Sequence, residues 1–191
     1  MHSMLKPKLL FSLLILTLAG CEKDDDPGPT PIPVNESELI TTVILEFTDP
    51  ELSESFELRW RDLDGDGGNA PVITTVPLPA ARAFNLSVRL LNESVSPAEE
   101  HTAEIQSEAN EHQFFFDVQS ADLNISYADQ DGNGKPLGLL NLAISGVAST
   151  GSLKVTLRHE PDKAAVGVSD GDISNAGGDT DIEVVFPLVL E

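Results

Sequence analysis

Two acidic segments carry the residues best suited to bind a cation. Each offers carboxylate or amide side chains at alternate positions, followed by a glycine. The candidate ligands are Asp62, Asp64 and Asp66 in the first acidic loop, and Asp129, Asp131 and Asn133 in the second. This spacing is typical of the first half of an EF-hand calcium loop, because alternate side chains converge on one hard cation and the glycine allows the sharp turn. The spacing predicts calcium binding.

The match to a calcium loop is incomplete. The twelfth position should supply a bidentate glutamate, and Ile73 and Leu140 occupy it in the two loops. Aspartate, asparagine and glycine are also the residues that polar hairpin turns favour. The sequence therefore leaves open whether the loops are cation sites or ordinary turns.

A second candidate metal site lies on a segment predicted to be helical. His101, Glu108 and His112 are seven and four residues apart, which places them within about 40° of one another on a helix. Such a cluster suits zinc or another imidazole-binding metal such as iron, and His159 at a strand end can join it. Because Ile105 lies beside this stripe, the alternative is a helix face at the core margin with hydrogen-bonded histidines.

Gly167–Gly171 matches the G-x-S-x-G pattern of serine hydrolases, with Ser169 as the nucleophile. A nucleophile elbow follows a buried strand and opens a helix, whereas this segment lies in a run of Asp, Gly and Asn. We therefore predict no enzyme and keep serine hydrolase as a remote alternative.

The elements that must position these residues are mainly strands. Apolar and polar residues alternate with a period of two, as half-buried antiparallel strands require. The clearest runs are 39–47, 56–61, 84–90, 153–158 and 182–186, with shorter ones near 72–76, 114–118, 123–127 and 139–145. About eight or nine such strands predict an antiparallel β-sandwich, a mostly β fold.

One segment predicts a crossover helix. Ser96 is a suitable N-cap, Pro97 suits the first helical position, and Glu99 completes a capping box. The helix is expected to continue to about Glu111 and to cross the end or face of the sandwich.

The N-terminus predicts a lipoprotein. Residues 1–20 form a signal peptide, with Lys6 and Lys8 before an apolar run too short to span a bilayer. The run ends in Leu18-Ala19-Gly20-Cys21, a lipobox that makes Cys21 the lipidated residue. Residues 21–37 are an acidic, proline-rich linker, and residues 38–191 are the β-sandwich domain. Cys21 is the only cysteine, so lipidation leaves no thiol for catalysis, a disulfide or a metal.

The net charge excludes some partners. The whole chain carries −21, and removal of Lys6 and Lys8 with the signal peptide leaves −23. Nucleic acid is a poor partner for such a surface, while cations are favoured. The membrane is therefore reached through the lipid anchor.

Glu22–Asp26, directly after the anchor, is similar to the lysine-and-acid signal that exports lipoproteins of Bacteroidetes to the cell surface. We expect an outer-membrane anchor with the domain at the cell surface; a spacer role, with the domain on the periplasmic face, is the alternative.

Several longer stretches resemble a family of small lipoproteins of Bacteroidetes. They include Glu38–Val43, Asp62–Ile73, Leu91–Ser94, Glu111–Phe116, Leu157–Lys163 and Gly177–Ile182. Members are often labelled "type 1 periplasmic binding fold superfamily", which implies ligand binding. That fold alternates strands and helices in two lobes of a longer chain, and the strand-rich pattern here does not support it.

The sequence thus predicts a surface-anchored, non-enzymatic lipoprotein that binds a ligand or partner, as an accessory of an outer-membrane transporter. A metal-capturing lipoprotein, using calcium or zinc and iron, is the alternative.

Overall fold

The computed structural model describes residues 39–65 and 67–191. The predicted signal peptide, Cys21, the predicted linker and the candidate ligand Asp66 lie outside this part of the chain. Ten strands and one α-helix occur among the described residues. They are β1 (Thr42–Asp49), β2 (Glu54–Arg61), β3 (Val72–Thr74), β4 (Ala83–Asn92), β5 (Glu99–Glu100), α1 (Thr102–Ser107), β6 (His112–Gln119), β7 (Leu123–Tyr127), β8 (Leu140–Ser145), β9 (Ser149–His159) and β10 (Asp179–Leu190).

The strands form two antiparallel sheets, so the predicted mostly β, sandwich-like fold is confirmed. The larger sheet has the order β3-β2-β1-β4-β8-β7, and β5 pairs with the end of β4. The smaller sheet has the order β10-β9-β6. A parallel bridge between Leu78 and Leu190 connects the segment before β4 to the end of β10.

The core lies between the two sheets and follows the alternation of the sequence. In β1 the buried side chains Val43, Leu45 and Phe47 face the core from every second position. The ring of Phe84 packs edge-on against both Phe47 and Phe56, with ring centroids 6.0 Å apart in each pair. This apolar layer is the main source of stability, because burial of apolar surface dominates folding.

The predicted helix start is wrong. Glu99 and Glu100 are extended and pair with Asn92 and Leu91 of β4, so Ser96 caps no helix and Glu99 completes no capping box. The helix begins only at Thr102 and ends at Ser107. Pairing with β4 satisfies backbone groups that the first helical turn would leave without intrahelical partners, so tertiary structure overrides the local signal. In chain order α1 lies between β5 of the larger sheet and β6 of the smaller sheet, and its Ile105 is fully buried.

The loop between β9 and β10, residues 160–178, covers the outer face of the smaller sheet. It contains two short 3₁₀ helices, Val168–Asp170 and Ile173–Asn175. Val168 and Ala176 pack there against Phe115, and the amide nitrogen of Gln113 donates to the Val168 carbonyl over 2.7 Å. Within the described residues, no helix has the length and apolar character to span a membrane.

Candidate metal centre

Two histidines meet at one end of the smaller sheet. His112 begins β6 and His159 ends β9, and the antiparallel register places them directly opposite each other. Their ring centroids are 4.6 Å apart. His112 lies two residues before the buried Phe114 of β6, and His159 lies two residues after the buried Leu157 of β9. Each histidine therefore lies on the same strand face as a core residue. The two imidazoles therefore lie on the inner face of the sheet, at the margin of the core.

A carboxylate joins them from the third strand. The register between β9 and β10 shifts between Thr180 and Ile182, so Asp181 is the extra residue of a β-bulge. Bulges redirect side chains and disrupt the regular alternation of a strand. The Oδ2 atom of Asp181 lies 3.5 Å from His112 Nε2, and its Oδ1 atom lies 3.6 Å from His159 Nδ1. We call His112, His159 and Asp181 the histidine site.

The spacing of the histidine site suits one metal ion. One ligand atom from each of the three residues lies within 4.8 Å of the other two. Two ligands on a tetrahedral zinc lie about 3.4 Å apart when each is about 2.1 Å from the metal. Small side-chain adjustments are thus enough to bring all three onto one ion. Two imidazoles and one carboxylate favour zinc or ferrous iron over calcium, which prefers oxygen ligands.

A backbone contact orients His112. Its Nδ1 atom lies 3.2 Å from the Glu108 carbonyl oxygen. A carbonyl oxygen only accepts, so Nδ1 carries the hydrogen, and in the neutral ring the lone pair is on Nε2, on the side of Asp181. Metal-binding histidines commonly have this arrangement, in which the second nitrogen donates to a carbonyl and fixes the tautomer.

The three side chains differ in exposure. That of His112 is fully buried, that of Asp181 is 9% exposed, and that of His159 is 24% exposed. Solvent therefore reaches the site past His159. Gly178 is the last residue of the β9–β10 loop, and a Cβ there would lie 2.1 Å from the His159 carbonyl oxygen. Glycine is needed here because of that close approach and a φ of +65°.

The predicted helical stripe of His101, Glu108 and His112 is not formed, because α1 includes none of the three. His101 is the N-cap residue, and its Nδ1 atom lies 3.0 Å from Glu104 Oε2. Glu108 contributes its backbone carbonyl to His112. Only His112, with the previously considered His159, belongs to the histidine site. Sequence alternation does not reveal Asp181, because a strict period of two directs its side chain to the outer face. The signal of irregular backbone is Gly177-Gly178, which is separated from Asp181 by Asp179 and Thr180.

In the first acidic loop, the carboxylates of Asp62 and Asp64 accept hydrogen bonds from nearby backbone. Asp62 Oδ1 accepts from the N–H groups of Asp64 and Gly65, at 3.3 and 3.0 Å. Asp64 Oδ2 accepts from the backbone and side-chain nitrogens of Asn69, at 3.0 and 2.7 Å. The bonds from Asn69 lower the pKa of Asp64 below its usual value. Both groups thus act as turn acceptors, and calcium binding by this loop stays a prediction.

In the second acidic loop, Asp131 forms a buried ion pair. Its Oδ2 atom lies 3.0 Å from Lys163 Nζ, and its Oδ1 atom accepts from the backbone N–H groups of Asn133 and Lys135. The ammonium of Lys163 also donates to the carbonyls of Ala109 and Pro136, at 2.5 and 3.0 Å. Burial opposes ionisation of Asp131. The hydrogen bonds that its carboxylate accepts from Lys135, Lys163 and Asn133, together with the charge of the Lys163 ammonium, nevertheless hold its pKa below the usual value.

The other two candidate ligands of this loop have partners as well. Asp129 accepts from the N–H groups of Gly138 and Leu140, at 2.7 and 2.9 Å. The amide nitrogen of Asn133 donates to Asn110 Oδ1 over 3.0 Å. A calcium ion here would have to compete with the Lys163 ammonium for Asp131. The calcium hypothesis stays a prediction for this loop too.

Ser169 lies in the first 3₁₀ helix of the β9–β10 loop, which follows loop residues rather than a strand. Its hydroxyl donates to the Lys163 carbonyl over 2.7 Å and accepts from Lys135 Nζ over 3.3 Å. A nucleophilic serine instead gives its proton to a base.

Comparison with protein-family models, curated proteins and solved structures finds no match to this chain.

Proposed function

We propose that this chain is a lipid-anchored, non-enzymatic lipoprotein that captures a divalent transition-metal ion, zinc or ferrous iron, at His112, His159 and Asp181. One observation carries the proposal: three strands of one sheet each bring a metal-binding side chain to one point, within 4.8 Å. The bulge at Asp181 and the Glu108 carbonyl on His112 support it, because both orient ligands.

The net charge of the chain is consistent with capture of a cation. At −21 for the whole sequence, the field raises the local concentration of divalent ions and their association rate. The anchor at Cys21 would keep the captured ion at the outer membrane. Delivery to an outer-membrane transporter, at the cell surface or in the periplasm, is the role we propose for such a protein.

Equilibrium dialysis of the purified full-length protein against zinc, ferrous iron and calcium tests the proposal. We expect about one zinc per chain, with three protein ligands as in catalytic zinc sites, and loss of that zinc in His159→Gln and Asp181→Asn. His101→Gln is the matched control, because among residues 39–65 and 67–191 His101 is the histidine that does not belong to the histidine site, and this variant should keep its zinc. Absence of stoichiometric zinc, or zinc that survives both site substitutions, would contradict the proposal.

Two further experiments address the partner and the chemistry. A pull-down from solubilised outer membranes should recover a transporter, and its absence would remove the accessory role.

A fluorophosphonate probe should leave Ser169 unlabelled, since its hydroxyl proton is directed to a backbone carbonyl. Labelling of Ser169 would revive the hydrolase alternative.

A further inference from the structure

A second candidate binding site lies at the end of the larger sheet where β1 and β8 end and β4 begins. A groove of about 810 Å³ opens there between the β1–β2 turn, the segment before β4 and the β8–β9 turn. This volume falls within the range of small-molecule sites, about 300–1,000 Å³. None of the residues of the histidine site lines it.

The walls of the groove are mainly apolar. Ala83, Ile144 and Val147 line it, and Ile144 and Val147 are 48% and 71% exposed. Ile144 occupies a position of β8 that points away from the core, where a one-sided sheet normally presents polar residues. The groove thus offers apolar surface to a bound molecule.

The charges around this surface are mostly negative. Arg82 lies between Asp49 and Glu51, at 2.9 and 3.1 Å, and Asp122 lines another wall. The Arg82 guanidinium thus pairs with two of the three carboxylates of the groove. The side chain of Asp49 is 2% exposed and forms an ion pair with Arg82. The side chain of Glu51 is 79% exposed. Glu51 and Asp122 are the exposed carboxylates of the groove.

The backbone of the groove is held in place before any ligand arrives. Ala81 has a φ of +55°, a left-handed conformation that is unfavourable for a residue with a Cβ, and its N–H donates to the Gly146 carbonyl over 2.8 Å. The hydroxyl of Ser145 donates to the Pro79 carbonyl and accepts from the Arg82 N–H, at 2.7 and 3.0 Å. Strained residues persist where surrounding contacts fix them, often at ligand sites.

We propose that this groove binds a small organic cation, a primary ammonium on an apolar body. The body would cover Ala83, Ile144 and Val147, and the ammonium would pair with Glu51 and Asp122. Charge complementarity selects this class over an organic anion. Arg82 is already neutralised by Asp49, and the remaining groove carboxylates and the net charge of −21 both repel an anion.

Calorimetric titration of the full-length protein in phosphatidylcholine nanodiscs tests this proposal, with empty nanodiscs as the blank. Hexylammonium is the probe, and hexanol and hexanoate are the comparison ligands of similar size. We expect saturable binding of hexylammonium, weaker binding of hexanol and none of hexanoate. No binding of hexylammonium, or equal or tighter binding of hexanoate, would overturn the proposal.

Substitutions place the binding in the groove. Val147→Arg should abolish hexylammonium binding by filling the wall and repelling the ammonium. Val166→Arg is the matched control, because Val166 is 86% exposed on the β9–β10 loop and lies outside the groove; its affinity should be unchanged. Glu51→Gln should weaken binding by about fivefold, the effect of one exposed charge pair. Binding that survives Val147→Arg, or is lost equally in Val166→Arg, would place the ligand elsewhere.

Discussion

At the scale of single residues, Lys163 and Asp131 show how a buried charge is stabilised. The Lys163 side chain is 6% exposed and that of Asp131 is 1% exposed. Removing such charges from water is costly unless they are paired and hydrogen-bonded. Here the ammonium has one carboxylate and two carbonyl acceptors, which connect the turn after α1, the second acidic loop and the β9–β10 loop.

We predict that Lys163→Met lowers the free energy of unfolding by about 3–5 kcal/mol, because it leaves Asp131 buried without its counter-ion. Chemical denaturation measures the change. Lys163→Met combined with Asp131→Asn should be less destabilising than the sum of the two single substitutions, since the double variant buries no isolated charge. A loss below about 1 kcal/mol in Lys163→Met would show that the pair is unimportant for stability.

The same pair predicts a pH dependence. The pKa of Asp131 is lower in the folded state than its ordinary value of 3.8, so the folded state favours the ionised carboxylate. Its contribution to stability is fully present above the unfolded pKa and is lost as the pH falls through the folded pKa. Denaturation measured from neutral pH down to below the usual pKa should show a steeper loss for wild type than for Asp131→Asn. Parallel curves would contradict this assignment.

The two acidic loops give a further prediction. If calcium binds only the folded state, stability rises by RT ln(1 + [L]/Kd), about 2.7 kcal/mol at a hundredfold excess over Kd. The melting temperature should then be higher in millimolar calcium than in chelator, with a smaller effect of magnesium, which demands an octahedral shell. Asp64→Asn with Asp131→Asn should abolish the calcium effect. Because Asp131 also pairs with Lys163, calcium and chelator must be compared within each variant. Identical curves for wild type would leave the loops as turns.

At the scale of elements, the histidine site depends on strand geometry. Antiparallel register places His112 against His159, and the bulge of β10 adds Asp181. In regular β structure, Asp181 and Ile182 would point to opposite faces. The bulge is therefore as necessary to the site as the identity of the residue.

Deletion of Thr180 tests the role of the bulge. A regular β10 would place Asp181 opposite Arg158, with its carboxylate on the outer face, and zinc binding should fall at least about tenfold, the lower range for loss of a metal-site group. Thr180→Ala keeps the extra residue and should keep the zinc. Circular dichroism should confirm that both variants retain their β structure. Full zinc affinity in the deletion would show that the bulge does not position Asp181.

The alternation of apolar and polar residues predicts the strands of this fold wherever a strand shows that pattern in its own sequence. Runs of period two marked nine of the ten strands of the described residues. The missed strand, β5, is Glu99–Glu100, where serine, proline and glutamate resemble a helix start. This strand forms because Glu99 and Glu100 pair with Asn92 and Leu91 of β4. The residue types of Glu99 and Glu100 do not indicate that pairing.

The same reasoning explains the partial prediction of the site. His112 and His159 were candidates because imidazoles are rare and chemically distinctive. Their proximity depends on strand register, and Asp181 depends on a bulge, and neither property follows from composition or periodicity. The predicted helical stripe required a helix that continues to His112, whereas α1 ends at Ser107.

At the scale of the whole molecule, we propose that a lipid on Cys21 holds the β-sandwich at a membrane. We predict that Cys21→Ala releases the protein from the membrane fraction, because this variant lacks the residue that would carry the lipid anchor. Fractionation with immunoblotting measures this. Deletion of Lys23–Asp26 should leave lipidation intact but reduce protease accessibility on whole cells. Retention of Cys21→Ala in membranes would contradict lipid anchoring.

X-ray absorption at the zinc edge, on the zinc-loaded full-length protein, counts the imidazole ligands directly, because imidazole rings produce a distinct outer-shell scattering pattern. We expect two imidazoles and only nitrogen and oxygen ligands, at about 2.0–2.2 Å from zinc. His159→Gln should reduce the imidazole count to one, while His101→Gln should leave it at two. A zinc shell of oxygen alone, or one unchanged by His159→Gln, would contradict the assignment of His112, His159 and Asp181 as the metal site.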